Sequence, residues 1–296
     1  MSSVIAVDLG GTKLTTAVIA GDGCVSGRTK RPVARGGLVD SVRQIKAAVR
    51  ESLNAAPTAD IRAAGLIVPG IFNKSTGEAW APNLWGHEHV PLLAELNSQL
   101  ELSVTIDSDR AGYVLGEQWL GAARGLRDVV FLAVGTGIGA GILSGGRVID
   151  GSGGIAGAVG WFVVNPEHRE EYARMGCWEA EAAGPALARR LGASTAQEAV
   201  EAARRGEPAA LEAVEETARH LGHGIANLVS VLNPEMIVLG GGIMQAADLF
   251  LPTIRRVMAI WAQPVAAQQV RIEPTQLGED AGLLGAARLA FNSIEI

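Results

Sequence analysis

One local pattern constrains this chain more than any other: an apolar strand enters a glycine turn and leaves it as a second strand, and it does so twice. Val4 to Asp8 runs into Leu9-Gly10-Gly11-Thr12-Lys13 and continues over Leu14 to Ile19, with a third strand expected over Val25 to Val33. Val129 to Val134 runs into Gly135-Thr136-Gly137-Ile138-Gly139-Ala140-Gly141. It continues at Ile142 to Leu143, turns at Ser144-Gly145-Gly146 and adds Arg147 to Ile149. Each copy then alternates helix and strand. Two such halves imply an internal duplication in an α/β fold, with a ligand cleft between two lobes.

Periodicity places the remaining elements. Apolar residues at 38, 39, 42, 45, 49 and 53 predict a helix over 38–54, followed by a buried strand over 63–68 that Pro69-Gly70 stops. Residues 71–89, rich in Pro, Gly, Asn and Trp, read as a loop, 90–100 as helix, 104–106 as strand and 110–123 as helix. In the second half, helices are expected over 178–190, 195–232, 246–261 and 280–291, and strands over 236–239 and 270–272. The expected lobes are 1–118 with 285–296, and 119–284.

Composition narrows the partners. The 296 residues contain no run of twenty apolar positions, so no segment is expected to span a bilayer. With 48% hydrophobic and 19% charged residues, wholesale disorder is excluded. A formal charge of −6 offers no footprint for a phosphate backbone, which argues against nucleic acid. Cys24 and Cys177 are too few for a disulfide framework, and no basic stretch precedes an apolar one at the start, a pattern that fits the cytoplasm. The 38 glycines, above a usual share of ~7%, gather in tight groups where backbone can approach a ligand.

Those groups point to phosphate. At Asp8-Leu9-Gly10-Gly11-Thr12-Lys13 a tight turn after a buried strand offers backbone N–H groups and the Thr12 hydroxyl with no bulky side chain in the way. Asp8, at the strand end, can hold Mg2+ through water. An ordinary hairpin turn would need only one glycine. A P-loop is excluded because no Gly-Lys dipeptide occurs, and a dinucleotide fingerprint at Gly135 because a strand follows where a helix should open. Gly240-Gly241-Gly242 either lets a base or ribose lie on bare backbone or frees the entry to the next helix. Asp107-Ser108-Asp109 either caps the helix from Arg110 or places a carboxylate for chemistry.

The ordered set is Asp8 to Lys13, Val68-Pro69-Gly70, Ala81-Pro82-Asn83-Leu84, Asp109 with Leu115-Gly116-Glu117, Gly135 to Gly139, Gly176-Cys177-Trp178-Glu179, and Asn233-Pro234-Glu235 with Leu239 to Gly242. Together these resemble the ROK family of sugar kinases and repressors, within the actin-like ATPase superfamily, over nearly the whole chain. The resemblance implies a two-lobe actin-like ATPase (ribonuclease H-like) fold. It implies ATP in the cleft at Gly10, Gly11, Thr12, Lys13, Gly135, Thr136, Gly137 and Gly241, with Mg2+ near Asp8. It also implies a small-molecule sugar whose hydroxyl is deprotonated by Asp109, and a homo-oligomer, a dimer. Asn83 and Glu179 match sugar ligands of the family, and Ser108 stands where an asparagine is common. An Asx turn at Asn83 and a helix N-terminal charge at Glu179 remain as plain alternatives.

Two departures from the family matter. Where Gly-Glu-x-Gly-His is usual, this chain reads Gly157-Ala158-Val159-Gly160-Trp161, so two polar sugar ligands have become Ala158 and Trp161. Trp161 either covers an apolar sugar face or is buried as core. Where three cysteines and that histidine would hold zinc, only Cys177 remains, and no structural zinc is expected. The pairs His87/His89 and His220/His223 have no convincing third ligand close by in sequence.

The sequence thus reads as an ATP- and Mg2+-dependent, glucokinase-like hexose kinase with an altered sugar site. The alternative is a non-catalytic nucleotide- or sugar-sensing protein descended from such kinases. A DNA-binding repressor would need a domain of at least ~50 residues ahead of the first glycine turn, and seven residues precede Asp8.

Overall fold

In the computed structural model, which describes residues 2–56 and 61–294, strand Ser3–Leu9 (β1) is covered on both faces and lies at the centre of its sheet. Lys13–Ala20 (β2) returns antiparallel to it, pairing Leu14 with Leu9. Val25–Pro32 (β3) pairs antiparallel with β2 and alternates exposed with covered residues, as an edge strand does. Helix Gly37–Ala55 (α1) packs Val42, Ile45, Ala48 and Val49 inward and carries the chain to Ile61–Val68 (β4), parallel to β1. Thr16 Oγ1, 2.7 Å from Ser52 Oγ and 2.8 Å from Thr29 Oγ1, ties β2 and β3 to α1 through a buried polar knot.

Residues 71–89, expected as a loop, contain a hairpin, Ile71–Asn73 (β5) and Glu78–Trp80 (β6), and a single helical turn, Pro82–Trp85 (α2). Strands of three residues are too short to show a period. Asn73 makes the turn between them: its Oδ1 accepts from Ser75 N at 3.0 Å and Ser75 Oγ at 2.7 Å. Leu92–Gln99 (α3), Ser103–Ser108 (β7) and Asp109–Leu120 (α4) follow, with β7 parallel to β4. The sheet order is β3-β2-β1-β4-β7.

A second meander is formed by Val129–Val134 (β8), Ile138–Ser144 (β9) and Arg147–Val148 (β10). Met236–Gly240 (β11) and Arg271–Pro274 (β12) extend it in parallel, and the order β10-β9-β8-β11-β12 repeats that of the first sheet. Between β10 and β11 lie Tyr172–Met175 (α5), Cys177–Ala182 (α6), Gly184–Leu191 (α7), Ala196–Arg204 (α8) and Pro208–Leu232 (α9). Ala247–Trp261 (α10), Pro264–Gln269 (α11) and Ala281–Ile294 (α12) complete the chain.

The helices expected over 178–190 and 195–232 are each split in two. Pro185, with no N–H to donate, stands in the first turn of α7 behind the extended Ala183, and Pro208 opens α9. Trp178 is fully buried and stacks on Phe162 with ring centroids 5.8 Å apart.

The chain divides into two units. The first holds the residues up to Arg124, 150–155, and those from Glu279 onward; the second holds Gly125–Ile149 and Ala156–Gly278. The borders expected at 118 and 284 fall inside α4 and α12, both of which lie whole in the first unit, as does 150–155. The expected outer limits, 1 and 296, lie outside the described residues. No helix among the described residues is long and apolar enough to cross a membrane.

Candidate functional site

In the first unit, β1 delivers Asp8 to the end of the sheet, beside Thr15 of β2 and Ile67 of β4. The following turn closes with Gly10 N donating to Lys13 O at 2.9 Å. A Cβ built on Gly11 would meet nothing within 4 Å, so packing does not require glycine there, and the space over the turn stays open to a ligand. Thr12 and Lys13 are exposed at its tip.

Asp109 is the first residue of α4. The cap of that helix is Ser108, whose Oγ accepts from Ala111 N at 3.3 Å, so the capping role considered for an aspartate falls to the serine. One Asp109 oxygen accepts from Arg110 N at 2.8 Å. Burial pushes the Asp109 carboxyl up to about 6, and burial together with the nearby Asp109 charge pushes Asp8 up to about 7. Tyr113, one turn along α4, is held well above the usual phenol range by burial and by both carboxylates. Gly282, in the first turn of α12, leaves room for the Asp8 carboxyl, whose Oδ2 would lie 2.8 Å from a Cβ there. Neither Tyr113 nor Gly282 stood out in the sequence, although Tyr113 is four residues from Asp109 and so shares its helix face. Asn83 is exposed on α2.

The second unit carries the other glycine turn, closed by Gly135 N donating to Gly137 O at 2.9 Å. Glu179, on α6, fits behind it: its Oε2 accepts from Ile138 N at 2.9 Å, and burial raises its carboxyl. A Cβ on Gly137 would come within 2.7 Å of that same oxygen, so Gly137 is occupied by Glu179 on its Cβ side. Trp161 ends a short 3-10 turn, Val159–Trp161, and is 56% exposed, which removes the core alternative for it.

A cavity of about 770 Å³ opens beside this turn, a volume within the range of small-molecule sites. Gly135, Thr136, Gly184 and Gly242 form one side, and Thr195, Gln197, Val200, Glu201 and Arg204 of the α8 region form another. Gly241, expected at the nucleotide, does not line it. Its φ of +94° and a Cβ position pressed into the Val134 backbone explain that glycine by packing alone. Gly242 has open space where its Cβ would be, and it faces the cavity. The face of α8 escaped sequence reasoning, although Thr195 followed by Glu198 marks the start of that helix: Thr195 Oγ1 accepts from Glu198 N at 3.2 Å.

Among the described residues, no group of three or more His, Cys, Asp or Glu side chains is placed to hold a metal ion. Cys177 is buried, with its Sγ 3.7 Å from Asn165 O. The Asp8 carboxyl, raised by burial and by the Asp109 charge, is one that a divalent cation keeping several of its own waters would relieve.

The ROK family matches residues 4–293. A glucokinase of Halalkalibacterium halodurans is 30% identical over 309 aligned positions, covering 96% of this chain and 94% of that protein. Among solved structures, the ROK hexokinase of Thermus thermophilus superposes with a TM-score of 0.86 at 29% identity, covering 99% of each chain. A ROK family glucokinase of Streptomyces griseus, solved with glucose and AMPPNP, superposes with a TM-score of 0.79 at 28% identity, covering 98% of this chain and 100% of that one. The repeated strand order of the two sheets is that of the actin-like ATPase fold these neighbours share. With the family match running almost from end to end, the chain belongs to the ROK family.

Proposed function

We propose that this chain transfers the terminal phosphoryl group of ATP to a hydroxyl of a hexose. The observation that carries the proposal is Asp109: a partly buried carboxyl at the start of α4, released from capping by Ser108 and tuned by burial to about 6. Phosphoryl transfer needs a positioned oxygen nucleophile, neutralised phosphate charge and little water, and a carboxylate of that value accepts a hydroxyl proton near neutral pH. The turns at Gly10 to Lys13 and at Gly135 and Thr136 supply N–H donors for phosphate oxygens, and the cavity of the second unit takes the adenosine. Asp8, through water, is the residue that would hold Mg2+, which would supply charge neutralisation for the phosphates, and Asp109 stays free to accept the proton. Asn83, Ser108, Glu179 and the exposed face of Trp161 are assigned to the sugar.

A panel of hexoses with 2-deoxy and 2-amino analogues, given with ATP and Mg2+ and read by ADP release, tests the proposal. Turnover of at least one sugar at about 1 s⁻¹ or more supports it. No ADP release with any of them favours the sensing protein that Ala158 and Trp161 bring to mind.

Two further results are expected. The kcat/KM for the sugar should fall as pH drops below about 6, where Asp109 takes up its proton, and the Asp109→Asn protein should lose that limb. For the third glycine group, Gly242→Val should weaken ADP binding by about tenfold with little loss of stability. Gly241→Ala should instead destabilise by about 1–3 kcal/mol, since its backbone angle excludes a side chain. Calorimetry with ADP and thermal melts separate the two.

A further inference from the structure

Lys74 gathers three stretches of the first unit that are distant in sequence. It stands in the β5–β6 turn shaped by Asn73, and its Nζ lies 2.7 Å from Asp107 Oδ2 and 2.8 Å from Asp150 Oδ2. The Asp107 side chain is only 4% exposed, and its other oxygen accepts from Ser108 N at 2.7 Å. A buried carboxylate of this kind is strongly unfavourable without a counter-charge, and the ammonium supplies it. Asp150 opens the segment 150–155, which belongs to the first unit although the residues on both sides of it belong to the second. That segment has another anchorage: Gly154, with φ +72°, lies so close to β5 that a Cβ would come within 2.6 Å of Phe72 O.

Each of the three stretches leads into a residue assigned above to the sugar. β6 continues to Asn83, Asp107 precedes Ser108 and Asp109, and 150–155 runs into Ala158 and Trp161. We propose that Lys74 is a positioning residue for sugar recognition, holding segment 150–155 and the end of β7 to the β5–β6 turn before the sugar arrives. The proposal rests on the sugar-kinase reading, with sugar specificity as the property it adds.

Steady-state kinetics and hydrogen exchange on the full chain test it. Lys74→Met should raise the sugar KM by about tenfold or more while moving the ATP KM by less than about threefold, and Lys74→Arg should restore most of the loss. Asp150→Asn, which leaves Lys74 on Asp107 and strands no buried charge, should shift the sugar KM in the same direction. In the ligand-free protein the amides of 150–156 should exchange about tenfold faster in Lys74→Met and Asp150→Asn than in wild type. If Lys74→Met does not fold, the double variant Lys74→Met, Asp107→Asn removes the orphaned carboxylate and carries the same measurements. Unchanged exchange over 150–156, or sugar and ATP KM values rising together, overturns the proposal. A wild-type protein that turns over no sugar defeats the kinase reading instead, and the exchange comparison then decides by itself whether Lys74 holds the segment.

Discussion

An Asp109→Asn protein should turn over its sugar about 10²- to 10⁴-fold more slowly than wild type with its ADP affinity intact, because the change removes a proton acceptor and leaves the cavity of the second unit untouched. The fold should survive. Ser108 keeps the cap of α4, and an amide oxygen of the same size can still accept from Arg110 N, which donates to Asp109 at 2.8 Å. Asp8 should titrate lower in the variant, since one of the causes that raise it is the Asp109 charge. Single-turnover rates with a working sugar and calorimetry with ADP are the measurements. A variant rate within about threefold of wild type would remove Asp109 from the chemistry.

The largest expected loss of stability comes from Glu181, whose side chain is 3% exposed inside the second unit. Its carboxylate accepts from the Tyr172 hydroxyl and from Asn165 Nδ2 at 3.3 Å, and it pairs with Arg190 at 2.9 Å and Arg169 at 3.0 Å. Glu181→Leu takes the closer carboxylate from the Arg190 guanidinium, itself 15% exposed, leaving it Glu216 at 3.7 Å, and should destabilise by about 3 kcal/mol, the low end of the usual penalty for breaking a buried pair from one side. Burial alone would raise the Glu181 carboxyl. The Tyr172 and Asn165 hydrogen bonds and the His220 and Arg169 charges outweigh it and hold the group below its ordinary value. A carboxyl lowered by folding stabilises above its unfolded value of ~4.3 and loses that contribution as pH falls through the folded one. The gap between wild type and Glu181→Leu in urea unfolding should therefore be full near neutrality and shrink below pH ~4. A gap independent of pH would mean that lost packing, and not the charge, sets the penalty.

The duplication was legible because its signal is local. A strand, a glycine turn and a returning strand are written in consecutive residues, and both sheets adopt the strand order those turns start. Asp8 and Asp109 were legible as residue types at element ends. Ser108 as the cap was not, because aspartate and serine cap helices about equally well and stand side by side here. Gly241 and Gly242 look alike in a sequence, yet one is dictated by a positive φ and the other borders open space, a difference made by where β8 lies. The α8 wall of the cavity and the approach of Gly282 to Asp8 arise from packing between elements far apart in the chain, and no periodicity records them. The β5–β6 hairpin was hidden by its own brevity.

The placement of α12 has a consequence for how the protein is made. The helix packs on α4, β1 and β4, with Gly285 set against the Gly112 backbone and Gly65 against Ala286, so the first unit is incomplete without it. Yet all residues of the second unit leave the ribosome before Ala281 does. A nascent chain therefore carries the sheet β3-β2-β1-β4-β7 with the face that α12 covers still bare throughout the synthesis of the second unit. The last step is a long-range closure, slow by the entropy of its loop, and the bare face is open to chaperones or to mispairing until it occurs.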